Sequence, residues 1–250
     1  MLIDSNVHLG PWPFNLVPAF TARALAARLR ENGIGRAIVA PTAAILAPDP
    51  GPANRALFAA VASVPALLPL PVVNPALRNW SEQLEAAASG PLRAAKLYPN
   101  YHNYRLESPR LDAFFAAALS GRVRLVVSAR VEDDRHRYFG LKVTMVPAKS
   151  VGAFLGRHPR LHPLILGLGL PDIRAIAPGH ANFSTDTSFI EWRNALADLV
   201  REIPARRILF GSHTPFFVTQ SGVAQLAASR LTAAAAAAIG GGNAARFFEL

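Results

Sequence analysis

The chain has 250 residues, 51% of them hydrophobic, and its 26 basic and 16 acidic residues give a net charge of +10. This length fits one α/β barrel or two small domains, and the large apolar fraction excludes a disordered chain. The absence of cysteine excludes disulfide bonds, thiolate metal sites and a cysteine nucleophile.

Short apolar runs alternate with amphipathic segments along the whole chain. The runs predict strands at residues 2–5, 36–40, 67–73, 94–98, 123–129, 163–168, 182–186 and 207–211. The amphipathic segments predict helices at residues 21–32, 53–63, 80–88, 111–119, 147–155 and 191–202, with a turn or short helix at 171–178 and further helices after 211. The alanine run 233–238 favours helix, and Asn243 is suited to cap the last one.

Eight strands that alternate with helices are typical of a parallel sheet. No change of composition and no linker divides the chain. We therefore predict a single domain, residues 1–250, folded as a (β/α)8 TIM barrel, with an open doubly wound sheet as the alternative.

The positive charge does not predict a nucleic-acid partner. Around Arg130 the basic residues are interleaved with acidic ones, and no nucleic-acid-binding motif is present. No apolar run is long enough for a membrane span, and no basic, apolar leader opens the chain. We expect a cytoplasmic protein without membrane contact, and the apolar segment 12–14 and Phe247-Phe248 leave a homodimer open.

In an α/β barrel the functional side chains follow the carboxyl ends of the strands. That rule selects candidates from the first, third, fourth, fifth, seventh and eighth predicted strands. They are Asn6, His8, Asn74, Lys96, Tyr98, His102, Tyr104, Ser128, Arg130, Glu132, Asp186, Thr187, Ser188, Ser212 and His213.

Several short motifs, in order along the whole chain, resemble those of the metal-dependent amidohydrolases, in the branch with small-acid decarboxylases and lactone hydrolases. The motifs are Ile3-Asp4, His8-Leu-Gly10, Lys96-Leu-Tyr-Pro99, Asp186-Thr-Ser188, Phe210-Gly-Ser212 with Pro215-Phe216, and Asn243-Ala-Ala-Arg246. The resemblance implies a TIM barrel and a hydrolase or decarboxylase that acts on a small anionic substrate.

The residues at the family's metal-ligand positions have changed. The resemblance places Asn6 and His8 at the paired histidines of the first strand, and His213 at the aspartate of the last strand. The histidine of the fifth strand would fall near Ser128 or Arg130, and that of the sixth strand at Leu168.

A catalytic zinc site uses about three protein ligands. The resemblance implies a divalent metal, zinc or manganese, with His8 as the ligand that is kept and His213 as a possible substitute, whereas the ligand count favours no metal. A restored site with the unusual ligands Asn6, His8 and His213 is a third alternative. His136, His162 and His180 could add ligands only if loops bring them in.

Without a metal, His213 would act as the base and His8 as its partner across the barrel mouth. Lys96 and Arg130 would hold a carboxylate or phosphate of the substrate, because they lie on neighbouring strands. Asn6, Tyr98, His102 and Asp186 would line the same site.

Each candidate also has a structural interpretation. Lys96 could form an ion pair with Glu132 or Asp186. His8, His213 and Asn6 could be a polar plug whose members bond to one another. Asp133, Asp134 and Arg135 are typical of a salt-bridged surface.

Two hypotheses of different classes therefore stand. In the leading one the chain is an enzyme, and an open, wet pocket lies between Asn6, Lys96, Arg130 and His213. In the other it is a catalytically retired barrel that binds a small carboxylate or a protein partner. Apolar side chains such as Leu168 and Phe216 would then fill the site.

Overall fold

A computed structural model describes residues 1–14, 16–133, 135, 140, 143–192 and 194–250. Its strands are β1 (Leu2–Leu9), β2 (Ile34–Pro41), β3 (Leu67–Pro69), β4 (Ala94–Leu97), β5 (Arg124–Ser128), β6 (Leu164–Leu166), β7 (Ser184–Asp186) and β8 (Ile208–Leu209). Its helices are α1 (Ala22–Glu31), α2 (Gly51–Val61), α3 (Trp80–Ala88), α4 (Asp112–Ser120), α5 (Ala148–Arg157), α6 (Leu170–Ile176), α7 (Ala195–Glu202), α8 (Thr219–Ala227), α9 (Ala233–Ala237) and α10 (Asn243–Phe248). Among the described residues, no helix is both long and apolar enough to cross a bilayer.

The strands are parallel and form two sheets in sequence order, β1 to β3 and β4 to β8. Backbone hydrogen bonds join the sheets on both sides. Lys96 N donates to Pro71 O over 2.8 Å, and His8 N donates to Thr214 O over 2.8 Å. These contacts close the ring of eight strands and confirm the predicted (β/α)8 fold.

The strand β1 is longer than predicted. The prediction ended at residue 5 because polar residues follow, but β1 runs on to Leu9 and is buried over most of its length. Its register against β2 shifts between Asp4 and Val7, where three steps on β1 match two on β2. Such a bulge changes the direction of side chains and is frequent beside active sites.

The strands from β3 to β8 are all shorter than predicted, and the ends of β3 and β8 have a visible cause. The strand β3 ends at Pro69, and pairing resumes only at Val72, because the prolines at 69 and 71 have no N–H to donate. The strand β8 ends at Leu209, since Phe210 N donates to Ile239 O in the C-terminal helical segment instead of to a strand.

The start of α7 and the role of Asn243 also differ from the prediction. The helix α7 begins four residues late, because Trp192 and Asn194 have left-handed backbones, with φ of 83° and 67°. Asn243 does not cap the last helix. Its side chain instead donates to Ala205 O and Ile208 O and so ties α10 to β8.

Apolar side chains fill the amino-terminal half of the barrel. Ile3, Ile38, Val126, Leu164 and Leu209 form one buried cluster contributed by five strands. Phe248 of α10 packs against the same cluster. Polar side chains are buried further along β1, β4 and β7, at Asn6, Lys96 and Asp186.

Candidate functional site

Six of the predicted residues meet at the carboxyl-terminal end of the barrel. They come from β1, from β4 and the residue after it, from β7 and from the segment after β8. Each is at most 1% exposed: Asn6, His8, Lys96, Tyr98, Asp186 and His213.

Lys96 lies at the centre of this group. Its Nζ atom lies 3.1 Å from Nε2 of His8 and donates to Oδ1 of Asn6 over 3.3 Å. The same atom lies 5.3 Å from the centre of the Tyr98 ring, within the range of a cation–π contact.

Asn6 links Lys96 to Asp186. The Nδ2 atom of Asn6 donates to Oδ2 of Asp186 over 2.9 Å, and the backbone N–H of Gly167 donates to the other carboxylate oxygen over 3.0 Å. Gly211 leaves the space that the side chains of Asn6 and Asp186 occupy, because a Cβ at residue 211 would lie 2.5 Å from Oδ2 of Asp186. The sequence therefore needs glycine beside the carboxylate.

The contact with Lys96 decides the tautomer of His8. The Tyr98 hydroxyl and the Lys96 nitrogen each lie 3.1 Å from Nε2. A charged Lys96 can only donate, so Nε2 then accepts from it and the ring proton lies on Nδ1. Nδ1 is buried and has no hydrogen-bond partner among the described residues.

His213 has the opposite tautomer. Its backbone is left-handed, with φ of 59°, and its Nε2 bonds to the carbonyl of Val131, which can only accept. Nδ1 therefore carries the lone pair, and it too lacks a partner in the described part of the chain. The ring centre of His213 lies 5.2 Å from that of His8, so the expected pair of imidazoles does meet.

Burial disfavours charge at most of these groups. It lowers the pKa of His213 to about 3 and that of His8 well below its usual value, so both imidazoles are neutral near pH 7. It lowers the pKa of Lys96 to about 7, against the attraction of Asp186 and Asp4. It also raises the pKa of Asp186.

Two predicted residues point elsewhere. The guanidinium of Arg130 lies 3.3 Å from Asp172 and 4.7 Å from the ring centre of Phe189, and no described contact joins it to Lys96. His102 bonds to Ala44 O over 2.9 Å, and its ring centre is 6.1 Å from that of Tyr98. The anion clamp of Lys96 and Arg130 is therefore not assembled in this conformation.

Aromatic side chains cover the site. Phe216 stacks on His213 with ring centres 5.1 Å apart and packs edge-on against His8 at the same distance. Trp12 packs on Phe216 at 5.2 Å, and its Nε1 donates to Glu132 over 3.0 Å. The side chain of Leu168 is also fully buried. The open pocket that was predicted between the polar residues is thus closed.

An open cavity of about 460 Å³ borders the site beyond β7 and β8. Ser188, Ser212, Phe216 and Phe217 are among the residues that line it. Ser188 Oγ lies 3.5 Å from Nδ2 of Asn6, so the cavity reaches the edge of the buried network.

Sequence reasoning did not select Asp4. Its carboxylate is fully buried and accepts from the backbone N–H groups of Asn6 and Ser212, over 3.1 and 3.0 Å. Burial raises its pKa to about 7. The signal was the spacing of Asp4, Asn6 and His8, because polar residues at every second position of a strand predict one shared side.

The donor set does not fit a catalytic divalent ion. The described residues include no group of three or more His, Asp and Glu side chains able to hold a metal. The acceptor atoms of Asn6 and His8 already contact a basic nitrogen. His162 lies in a different cavity with Arg206 and Arg207, His180 lies against α5, and His136 is outside the described residues.

Comparison with known proteins identifies the family. The family model described as amidohydrolase matches residues 3–250. The chain belongs to the amidohydrolase family. No curated protein in the comparison matches this amidohydrolase.

Solved structures with the same fold include decarboxylases. The chain is 18% identical to 2,6-dihydroxybenzoate decarboxylase from Rhizobium, with a TM-score of 0.77 and coverage of 99% of this chain and 98% of that one. It is 15% identical to 5-carboxyvanillate decarboxylase from Sphingomonas paucimobilis, with a TM-score of 0.73 and coverage of 100% and 99%. A dihydroxybenzoic acid decarboxylase from Polaromonas sp. JS666, with bound manganese and the inhibitor 2-nitroresorcinol, has 17% identity, a TM-score of 0.75 and coverage of 100% and 97%.

Proposed function

We propose that this amidohydrolase is a lyase that decarboxylates a small organic acid, with an aromatic carboxylate as the first class to test. The observation that carries the proposal is the contact of Lys96 with His8 and Asn6 in a buried site. The decarboxylases among the similar structures support the substrate class.

Decarboxylation suits these residues better than hydrolysis. It converts a carboxylate and one proton into carbon dioxide and a C–H bond, so it needs a proton donor but no attacking water. Lys96, with its pKa near 7, is suited to supply that proton at neutral pH. Hydrolysis would need an activated water in a site covered by Trp12 and Phe216.

Each residue of the site has a different proposed role. Lys96 is the acid and the positive charge that attracts the carboxylate. His8 and Tyr98 position it through the contacts at Nε2, and Asn6 and Asp186 hold it from the other side. His213 is a weak base because its pKa is low, but its Nδ1 lone pair can accept a hydrogen bond from a phenol or acid group of the substrate.

The substrate would enter through the cavity beyond β7 and β8. Its hydroxyl-lined wall at Ser188 and Ser212 ends at Asn6, and Phe216 separates it from His213. A shift of Phe216 would connect the cavity with Lys96. In this scheme Arg130 assists only if it leaves Asp172, so its role as a clamp stays a hypothesis.

The second candidate is a retired barrel that binds a small carboxylate or a protein partner without turnover. The specific observation in its favour is closure: the polar groups are bonded to one another, Phe189 and Phe216 pack on His213, and Leu168 is fully buried. Buried polar groups need such partners whether or not they react.

One experiment separates the two candidates. Purified protein is incubated with 2,6-dihydroxybenzoate, 5-carboxyvanillate and related benzoates, and both carbon dioxide release and thermal stabilisation are measured. Turnover that is lost in Lys96→Met and reduced in His213→Ala supports the enzyme. Stabilisation without turnover supports the retired barrel. Neither effect with any of these acids would contradict an aromatic carboxylate as the substrate or ligand.

A further inference from the structure

Lys96 occupies the space between two positions that correspond to metal ligands in the family. The resemblance places Asn6 and His8 at the paired ligands of the first strand, and their acceptor atoms both lie within 3.3 Å of Nζ. A single basic nitrogen therefore contacts what remains of that ligand pair.

The surroundings of Nζ match the needs of an ammonium group. An ammonium has three N–H donors and no acceptor. Around it lie the amide oxygen of Asn6, the lone pair of His8 Nε2 and the face of the Tyr98 ring. Each of these attracts a cation, and none of them is itself positively charged near pH 7.

Two buried carboxyl groups also favour a positive charge at Nζ. Asp186 is hydrogen-bonded to Asn6, and Asp4 is buried on the same strand as Asn6. Both carboxylates attract Lys96. A divalent ion brought to the same acceptors would meet the lysine nitrogen there, and two cations at this separation repel strongly when they are shielded from water.

We propose that the ammonium group of Lys96 takes the place of the divalent metal ion in this amidohydrolase. The site then keeps a positive charge on the carboxyl-terminal side of β1 and β4 without binding a metal. This inference goes beyond the proposed function, because it holds whether the barrel is active or retired.

The test replaces the lysine cation with cations from solution. In Lys96→Ala, the truncated side chain leaves a cavity beside Asn6 and His8 that the small cation n-propylammonium can enter. We expect this variant to unfold at a lower temperature than the wild type. Millimolar propylammonium should raise its melting temperature by several degrees, because a ligand that binds only the folded state stabilises it.

Three controls make the result specific. Neutral 1-propanol has the same size without the charge and should stabilise Lys96→Ala much less. The wild type should not respond to propylammonium, and neither should Lys149→Ala, which removes an exposed lysine of α5. Equal stabilisation by propanol, no stabilisation of Lys96→Ala, or the same shift in the wild type would each overturn the proposal.

A second measurement does not depend on the variant folding. Wild-type protein is dialysed, titrated with Zn²⁺ or Mn²⁺ and analysed for bound metal. We expect no site of micromolar affinity. Binding of about one equivalent, lost in His8→Ala, would show that a metal and not Lys96 supplies the charge, since such a site needs about three protein ligands.

Discussion

The amide of Asn6 on β1 donates to the carboxylate of Asp186 on β7 over 2.9 Å, deep in the barrel and between residues far apart in the chain. The other end of the same amide accepts from Lys96. One neutral side chain thus connects a basic and an acidic group that make no described ion pair with each other. The interpretation of Lys96 as one half of an ion pair with Asp186 or Glu132 is replaced by this relay.

The first prediction concerns the coupling of Asn6 with Asp186. Asn6→Ala should destabilise the protein by about 2–4 kcal/mol, because it removes one hydrogen-bond partner each from the buried groups of Asp186 and Lys96. In a double-mutant cycle with Asp186→Ala, the double variant should lose about 1–2 kcal/mol less than the sum of the two single losses. Urea unfolding measures all four proteins, and purely additive losses would contradict the contact.

The second prediction concerns the space that Gly211 leaves for the carboxylate. In Gly211→Ala the new methyl group would lie 2.5 Å from Oδ2 of Asp186 and 3.1 Å from Cβ of Asn6. We expect a loss of about 1–3 kcal/mol, as is usual when a packed core receives an extra carbon.

The matched control for that variant is Gly222→Ala in α8. A Cβ at residue 222 has its nearest neighbour at 3.5 Å, an ordinary contact. Alanine is a better helix former than glycine, so this variant should gain up to about 1 kcal/mol. Thermal unfolding measures both variants. A loss of stability in Gly211→Ala with a gain in Gly222→Ala would confirm that the limited space beside Asp186 causes the loss at residue 211.

The sequence contained enough information for the barrel but not for the details of its site. The spacing of apolar residues that marks a strand or a helix is local in the sequence, so the order of the elements was predictable. The extension of β1 past Asn6 was not, because polar residues in a strand buried on both sides give no apolar signal. Lys96 and His8 were both selected, but side-chain direction depends on tertiary packing. Nothing near Arg130 indicates that it contacts Asp172, 42 residues further along the chain.

The third prediction concerns the pH dependence contributed by Asp4. Burial raises its folded-state pKa from 3.8 to about 7, so between these values the folded protein holds a proton that the unfolded chain has released. Stability from this group is therefore complete at acidic pH and is lost as the pH rises through about 7. The loss is on the order of 4 kcal/mol, since one pKa unit corresponds to about 1.4 kcal/mol.

Asp4→Asn isolates this effect, because its amide is neutral at every pH and keeps an oxygen to accept from Asn6 and Ser212. The free energy of unfolding of the variant minus that of the wild type should increase from pH 4 to pH 7. Buried groups that do not interact with Asp4 titrate alike in both proteins, so they cancel in the difference. A difference that stays level, or that decreases, would contradict a buried acid at Asp4.

The fourth prediction concerns the aromatic cover above Lys96. The chain has three lysines, Lys96, Lys142 and Lys149, and Lys96 is 1% exposed. In the native wild type we expect reductive methylation to leave Lys96 unmodified. Phe216 packs against both His8 and His213, so Phe216→Ala should let the reagent reach Lys96 from the neighbouring cavity. Peptide mass spectrometry after short exposure measures the modified fraction at each lysine.

Phe247→Ala is the matched control for this variant. Phe247 is half-buried like Phe216, but it packs against the apolar cluster at the amino-terminal end of the barrel. Its truncation should lower stability by a similar amount, about 1–3 kcal/mol for a partly buried ring. If general loosening exposed Lys96, both variants would be methylated there. Methylation in Phe216→Ala alone identifies the ring that separates the cavity from the lysine, and protection in both variants would remove this route for a substrate.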